Sequence, residues 1–262
     1  MEKLNFNLGG GASRSLKAFT LAEVLITLAI IGVVAALTIP SVITNYKNQE
    51  IATRLKKTFT TLANTTNLAI KDYGSIASWH LGDTNSGAAA KDFNDKFLIP
   101  YLRVMKDCGV SDEGTCLHKV KTLNNVESNL TGQYYSKFFL ADGTFIATKI
   151  SRSTASNGGE NEYLEIQIDI NGEQKPNMYG RDYFIFNYTI KSKGNPVGKL
   201  VPYGALTIDK AHMNITSDYG CRIGGLGSYC SAVLYTNNWQ IPDRDKFVEI
   251  AKSENYRSQY PW

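Results

Sequence analysis

From Phe19 to Pro40 the chain reads FTLAEVLITLAIIGVVAALTIP, 22 residues with a single charge at Glu23. As a helix rising 1.5 Å per residue this run is about 33 Å long, enough to cross a hydrocarbon core of about 30 Å. Before it lies MEKLNFNLGGGASRSLKA, a polar leader with Lys3, Arg14 and Lys17 that has the outline of a secretory signal. Three features argue otherwise. The apolar run exceeds the usual h-region of about 7 to 15 residues, it carries a carboxylate near its start, and no small-x-small cleavage site follows it.

Pro40 cannot donate to the carbonyl of Ala36, so the sequence predicts a kink or loosened turn there, with Gly32 marking the pliable stretch. Helical periodicity nevertheless continues. Ile51, Leu55, Phe59, Leu62, Ala69 and Tyr73 fall on one stripe, while Lys47, Arg54, Lys56 and Lys57 lie largely off it. The reading is one helix from Phe19 to about Tyr73, roughly 80 Å long, apolar all round in its first half and amphipathic in its second. Gly74 supplies the stop.

Lys17-Ala18-Phe19-Thr20-Leu21-Ala22-Glu23 resembles the prepilin processing motif, in which a small residue precedes Phe-Thr-Leu-x-Glu and a long apolar run. The family usually has Gly where Ala18 stands. The resemblance implies a type IV pilin-like or type II secretion pseudopilin-like protein, cut between Ala18 and Phe19 by a prepilin peptidase that also methylates the new Phe19 amine. It implies that Glu23 pairs with the Phe19 amine of a neighbouring subunit, which offsets the cost of drawing a carboxylate into the membrane, about 2.5 to 3.5 kcal/mol on insertion scales. Thr20-x-x-Glu23 also fits a capping box, a role that needs no filament.

The layout that follows is a leader at 1–18, a long helix at 19–74 with its transmembrane span at 19–40, and a globular domain at 75–262. Both flanks of the span carry Lys and Arg, so charge alone leaves orientation open. Cys108 with Cys116 and Cys221 with Cys230 are spaced eight and nine residues apart. Two local disulfides are the simplest reading, because zinc knuckles use tighter spacing, and they place the domain in an oxidising, extracytoplasmic compartment.

Residues 75 to 93 read as a loop and Asp95 to Met105 as a short helix. Beyond them the period becomes alternating. Tyr134 to Leu140 and Thr144 to Ile150 flank Ala141-Asp142-Gly143 as a hairpin. Leu164, Ile166, Ile168 and Ile170 alternate with Glu165, Gln167 and Asp169, which predicts a strand with one buried and one wet face. Phe184, Phe186, Tyr188 and Ile190 define another strand. The fold class expected is α+β, pilin-like, with an antiparallel sheet of four or more strands packed on the second half of the long helix.

Asp169-x-Asn171-Gly172 with Pro176-Asn177-x-x-Gly180-x-Asp182 is the densest polar cluster. Asp169, Asn171 and Asp182 are candidate calcium ligands, since carboxylate and amide oxygens suit a hard cation. Asn-Gly, Pro-Asn and Gly are equally turn formers, and the EF-hand spacing is missing. No other cofactor is expected. His80, His118 and His212 are scattered and read as solvated or capping residues, and Gly224-Gly225-Leu226-Gly227 as a surface loop without the strand and helix of a phosphate site. Trp239-Gln240-Ile241-Pro242 and Tyr260-Pro261-Trp262 read as sheet packing or exposed display.

A formal charge of +4 and a pI near 8.7, spread along the chain, give no sign of nucleic-acid binding. No elbow, Walker or dinucleotide motif marks an enzyme. The function expected is that of a filament subunit of a type IV pilus or type II secretion pseudopilus in the bacterial cell membrane, single-pass, partnered by the peptidase, other pilin subunits, membrane lipid and an inner-membrane assembly platform. The alternative is a minor pilin or adhesin-type binding module.

Overall fold

The computed structural model describes residues 19–154, 160–191, 197–204 and 218–241. The leader with Ala18, and His212, Pro242, Tyr260, Pro261 and Trp262, lie outside the described residues. Chain contacts separate a unit ending at Tyr46 from a unit beginning at Lys47.

Helix α1 runs Leu21–Tyr73 and passes through Pro40 without interruption. Around the proline, hydroxyls take up carbonyls of the preceding turn: Thr38 donates to the Val34 carbonyl at 2.9 Å, Ser41 to Thr38 at 2.8 Å and Thr44 to Pro40 at 2.9 Å. The helix ends as the sequence predicts. Gly74 adopts φ +79° and its amide donates to the Ile70 carbonyl at 2.8 Å, the left-handed stop that glycine enters without a Cβ penalty.

In the second unit, Ala52, Leu55, Thr58, Leu62, Thr65, Thr66 and Ala69 bury one stripe of α1. That stripe joins a core made by the inner faces of the strands, with Phe138, Ile146, Leu164, Ile166, Ile168, Phe184 and Phe186 among its members. The sheet has six strands in the order β1-β4-β5-β6-β7-β8, and each neighbouring pair is antiparallel. They are β1 Val104–Gly109, β4 Ser136–Leu140, β5 Phe145–Thr154, β6 Glu160–Asp169, β7 Tyr183–Lys191 and β8 Leu200–Pro202. A separate hairpin, β2 His118–Lys121 with β3 Glu127–Leu130, branches off between β1 and β4. At one edge, β1 pairs with β4 through two register shifts; at the other, β8 is three residues long and ends on Pro202.

Two expectations need correction. The helix after α1 is α2, Gly87–Phe97, and Asp95 to Met105 instead holds its last turn, a 3-10 turn at Ile99–Tyr101 and the start of β1. Ser86 is an N-cap whose side chain accepts from the Ala89 amide, and three alanines, the best helix formers, follow it; their small-residue composition had the look of a loop. Pro100 then blocks continuation. The other correction concerns β6: its second face is not wet. Gln167 and Asp169 are buried and Glu165 is half-buried, under the β2–β3 hairpin and the loop of the first disulfide.

The stripe on α1 yields a paired test. Leu62 is fully buried and Leu68 is 47% exposed. Leu62→Ala should cost about 2 to 5 kcal/mol in chemical denaturation of the detergent-solubilised protein, and Leu68→Ala less than about 0.5 kcal/mol. Equal losses would mean that α1 does not pack on the sheet through this stripe.

Candidate functional site

Helix α1 begins two residues after Phe19, which is 85% exposed. Thr20 and Glu23 form the capping box that the sequence spells. The Thr20 amide and hydroxyl each donate to Glu23 Oε2 at 2.8 Å, and the Glu23 amide donates back to Thr20 Oγ1 at 3.3 Å. Both donors use one carboxylate oxygen. Oε1 has no partner among the described residues.

The helix surface beyond this cap is exposed and apolar, with Leu25, Ile26, Ile30, Ile31, Val33 and Leu37 all more than half exposed. Its most apolar window has a mean hydropathy of 2.4 and is not buried by the chain, so it is long and apolar enough to cross a membrane. At Gly32 an added Cβ would meet nothing within 4 Å. The fold of this chain therefore does not require glycine there.

In the domain, the second face of the sheet holds a polar network that sequence reasoning missed. Gln167 Oε1 accepts from the Tyr183 hydroxyl at 2.7 Å and the Tyr179 hydroxyl at 3.2 Å. Its Nε2 donates to the Tyr135 hydroxyl at 3.0 Å and to Glu165 Oε1 at 2.5 Å. Lys149 lies 3.6 Å from Glu165 and over the Tyr135 ring. Burial, reinforced by the Glu165 charge, pushes the Tyr135 and Tyr179 hydroxyls well above the usual tyrosine range, so they act as neutral donors and acceptors. Beside this network Lys137, itself fully buried, is held by Asp112 and by the Leu130 carbonyl at 3.0 Å.

His118 is not a solvated histidine. It is 3% exposed, its ring stacks on Phe145 at 4.0 Å, and its Nε2 lies 2.9 Å from Asp169 Oδ2. The alternation of β2, in which His118 and Val120 face inward, was the available signal, hidden by the shortness of a four-residue strand. Asp169 Oδ1 accepts from the Asn171 amide at 3.1 Å and the Gly172 amide at 3.0 Å. Asp182 accepts from the Asn177 amide at 2.9 Å, the Met178 amide at 2.7 Å and Asn171 Nδ2 at 3.2 Å. Asp169, Asn171 and Asp182 thus come together, but backbone and side-chain donors occupy the carboxylate oxygens that calcium would need. Among the described residues no cluster of three or more His, Cys, Asp or Glu side chains could hold a metal. Asn171 Oδ1 and Asn177 Oδ1 in the same cluster are buried without a partner among the described residues.

Both disulfides form, Cys108–Cys116 with Cα atoms 5.7 Å apart and Cys221–Cys230 with 4.7 Å. The Gly224–Gly227 segment lies within the second and is committed to the protein: the Gly224 amide donates to the Leu123 carbonyl at 3.2 Å, and Leu226 to Asp218 at 2.7 Å. Trp239 is half-buried, packed on Phe59 of α1 at 5.0 Å and stacked near Phe186 of β7 at 6.5 Å.

Residues 14–39 match the profile of the prokaryotic N-terminal methylation motif, and with the apolar helix that follows they define a type IV pilin-like protein, a processed subunit of pilin or pseudopilin type. The motif implies processing by a prepilin peptidase and assembly with other pilin subunits, and it marks a membrane-anchored, filament-associated chain. Residues 41–245, more than half of the chain, match a family of unknown function (DUF6613), and the protein belongs to that family. No curated protein and no solved structure matches it.

The His118–Asp169 pair carries a pH dependence. Burial pushes the Asp169 carboxyl up to about 6, with the Asp182 charge adding to the rise and the His118 hydrogen bond opposing it. The folded state therefore holds this proton more tightly than the unfolded chain. Its contribution to stability is full below about pH 4 and is lost as pH rises through about 6, at up to about 1.4 kcal/mol per unit between. Asp182, also raised by burial, adds with the same sign. Asp169→Asn should flatten the fall in denaturation midpoint between pH 4 and 7; an unchanged slope would assign it to other groups.

Proposed function

We propose that this protein is a filament subunit of a type IV pilus or a type II secretion pseudopilus, cut between Ala18 and Phe19 and assembled through α1. The observation that carries the reading is the methylation motif over residues 14–39, joined to a helix whose apolar surface is exposed among the described residues. In the membrane pool, lipid covers that surface and Thr20 caps through Glu23. On assembly, neighbouring helices replace the lipid, and the Phe19 amine of an adjacent subunit reaches Glu23 Oε1, the oxygen that the capping box leaves open. Capping and pairing then coexist on one carboxylate. The pair offsets the cost of the buried charge and fixes the axial register.

Gly32 allows close helix approach between subunits, and Pro40 gives α1 a point at which it can loosen. The two disulfides agree with a domain held outside the membrane, beyond a single span, in an oxidising compartment. An inner-membrane assembly platform is the remaining partner. Polymerisation, not catalysis, is the work assigned to the chain.

The test is the N-terminus of the mature protein, measured by mass spectrometry after expression with and without a prepilin peptidase. A peptidase-dependent start at Phe19 with a methylated amine is expected. An intact leader, or cleavage beyond Pro40, overturns the reading. In the native host, Glu23→Ala should leave membrane insertion intact and lower incorporation into filaments at least about tenfold, the equivalent of about 1.4 kcal/mol; normal incorporation would remove Glu23 from the assembly step.

A further inference from the structure

Between the end of α1 and helix α2 lies a cavity of about 350 Å³. Its floor is aromatic: Trp79 stacks on Phe97 at 4.1 Å and 7°, and Phe93 closes on both at 5.9 and 4.9 Å. Its rim carries Tyr73, His80, Asp92 and Lys96. Two of the rim groups have no polar partner among the described residues. His80 and Asp92 make no hydrogen bond or ion pair among the described residues, and Lys96 lies over the Tyr73 and Phe97 rings, at 5.4 and 5.0 Å. The contrast on the same helix is direct. Lys91 pairs with Asp95 one turn away, at 2.5 Å, whereas Asp92 and Lys96 have the same spacing and do not pair. In the floor, Trp79 is 6% exposed and its Nε1 is a buried donor without an acceptor.

We propose that this cavity is a saccharide-binding site. An anion is repelled by Asp92, and a simple cation by Lys96. A neutral ring bearing several hydroxyls satisfies both, since each hydroxyl donates and accepts: to Asp92, from Lys96, and either way with His80 and Tyr73. The C–H faces of the sugar lie on the aromatic floor. The site goes beyond the filament role and stands whether or not the subunit assembles.

The test follows the Trp79 indole N–H resonance of the full chain in a sugar-free detergent, assigned by its loss in Trp79→Phe. Glucose, galactose, N-acetylglucosamine and their β-1,4-linked disaccharides are titrated to about 50 mM, the range of weak single-site binding. At least one sugar should shift the resonance saturably. Asp92→Ala and Lys96→Ala, both at exposed positions, should each weaken it at least about fivefold, with the rest of the spectrum retained. No saturable shift overturns the proposal, as does binding unaffected by the two rim substitutions. Saturation by leucine or glycine, but by none of the sugars, overturns it in favour of a zwitterion site.

Discussion

Strand β6 lies fourth in a six-stranded sheet that is covered on both faces, so every polar side chain it turns to the second face needs a partner inside the protein. Glu165, Gln167 and Asp169 are the ones at its more deeply covered end, and the covering elements are placed where they meet them. The hairpin brings His118 to Asp169, the turn before β7 brings Tyr179 to Gln167, and β7 itself brings Tyr183. Cross-strand register completes the arrangement: Asp169 sits between Phe145 and Tyr183, and the His118 ring lies over Phe145. Had these three positions been apolar, many coverings would fit. Being polar, they specify one.

The same alternation explains what was legible from the amino-acid order. Leu164, Ile166 and Ile168 predicted β6 and its inner face correctly, and the stripe from Leu55 to Ala69 predicted the second half of α1. The alternation of Glu165, Gln167 and Asp169 predicts a solvated face because period alone distinguishes polar from apolar, not wet from dry. Their burial depends on partners between 12 and 51 residues distant, as Tyr179 is from Gln167 and His118 from Asp169. Helix α2 was missed for a local reason, since Ser, Gly and Ala serve loops and helix starts alike. The capping box at Thr20 and Glu23 was fully readable, for its chemistry spans four adjacent residues.

Helix α1 unites two kinds of physics in one element. Up to Tyr46 its surface is largely apolar and exposed among the described residues. From Lys47 onward it behaves as a soluble protein's helix, apolar on one side and bearing ion pairs such as Arg54 with Glu50 and Lys57 with Asp142 on the other. Neither part could do the work of the other.

The blunted margins of the sheet bear on how such a chain avoids the wrong polymer. Many copies crowded in a membrane would present open strands to one another, and an unpaired strand is a template for cross-β growth. Here one margin is broken by the two register shifts of β1, and the other stops after three residues at Pro202, which has no amide to donate. Lateral zippering is thereby discouraged at both ends of the sheet, so the strands of one copy offer little template to those of the next.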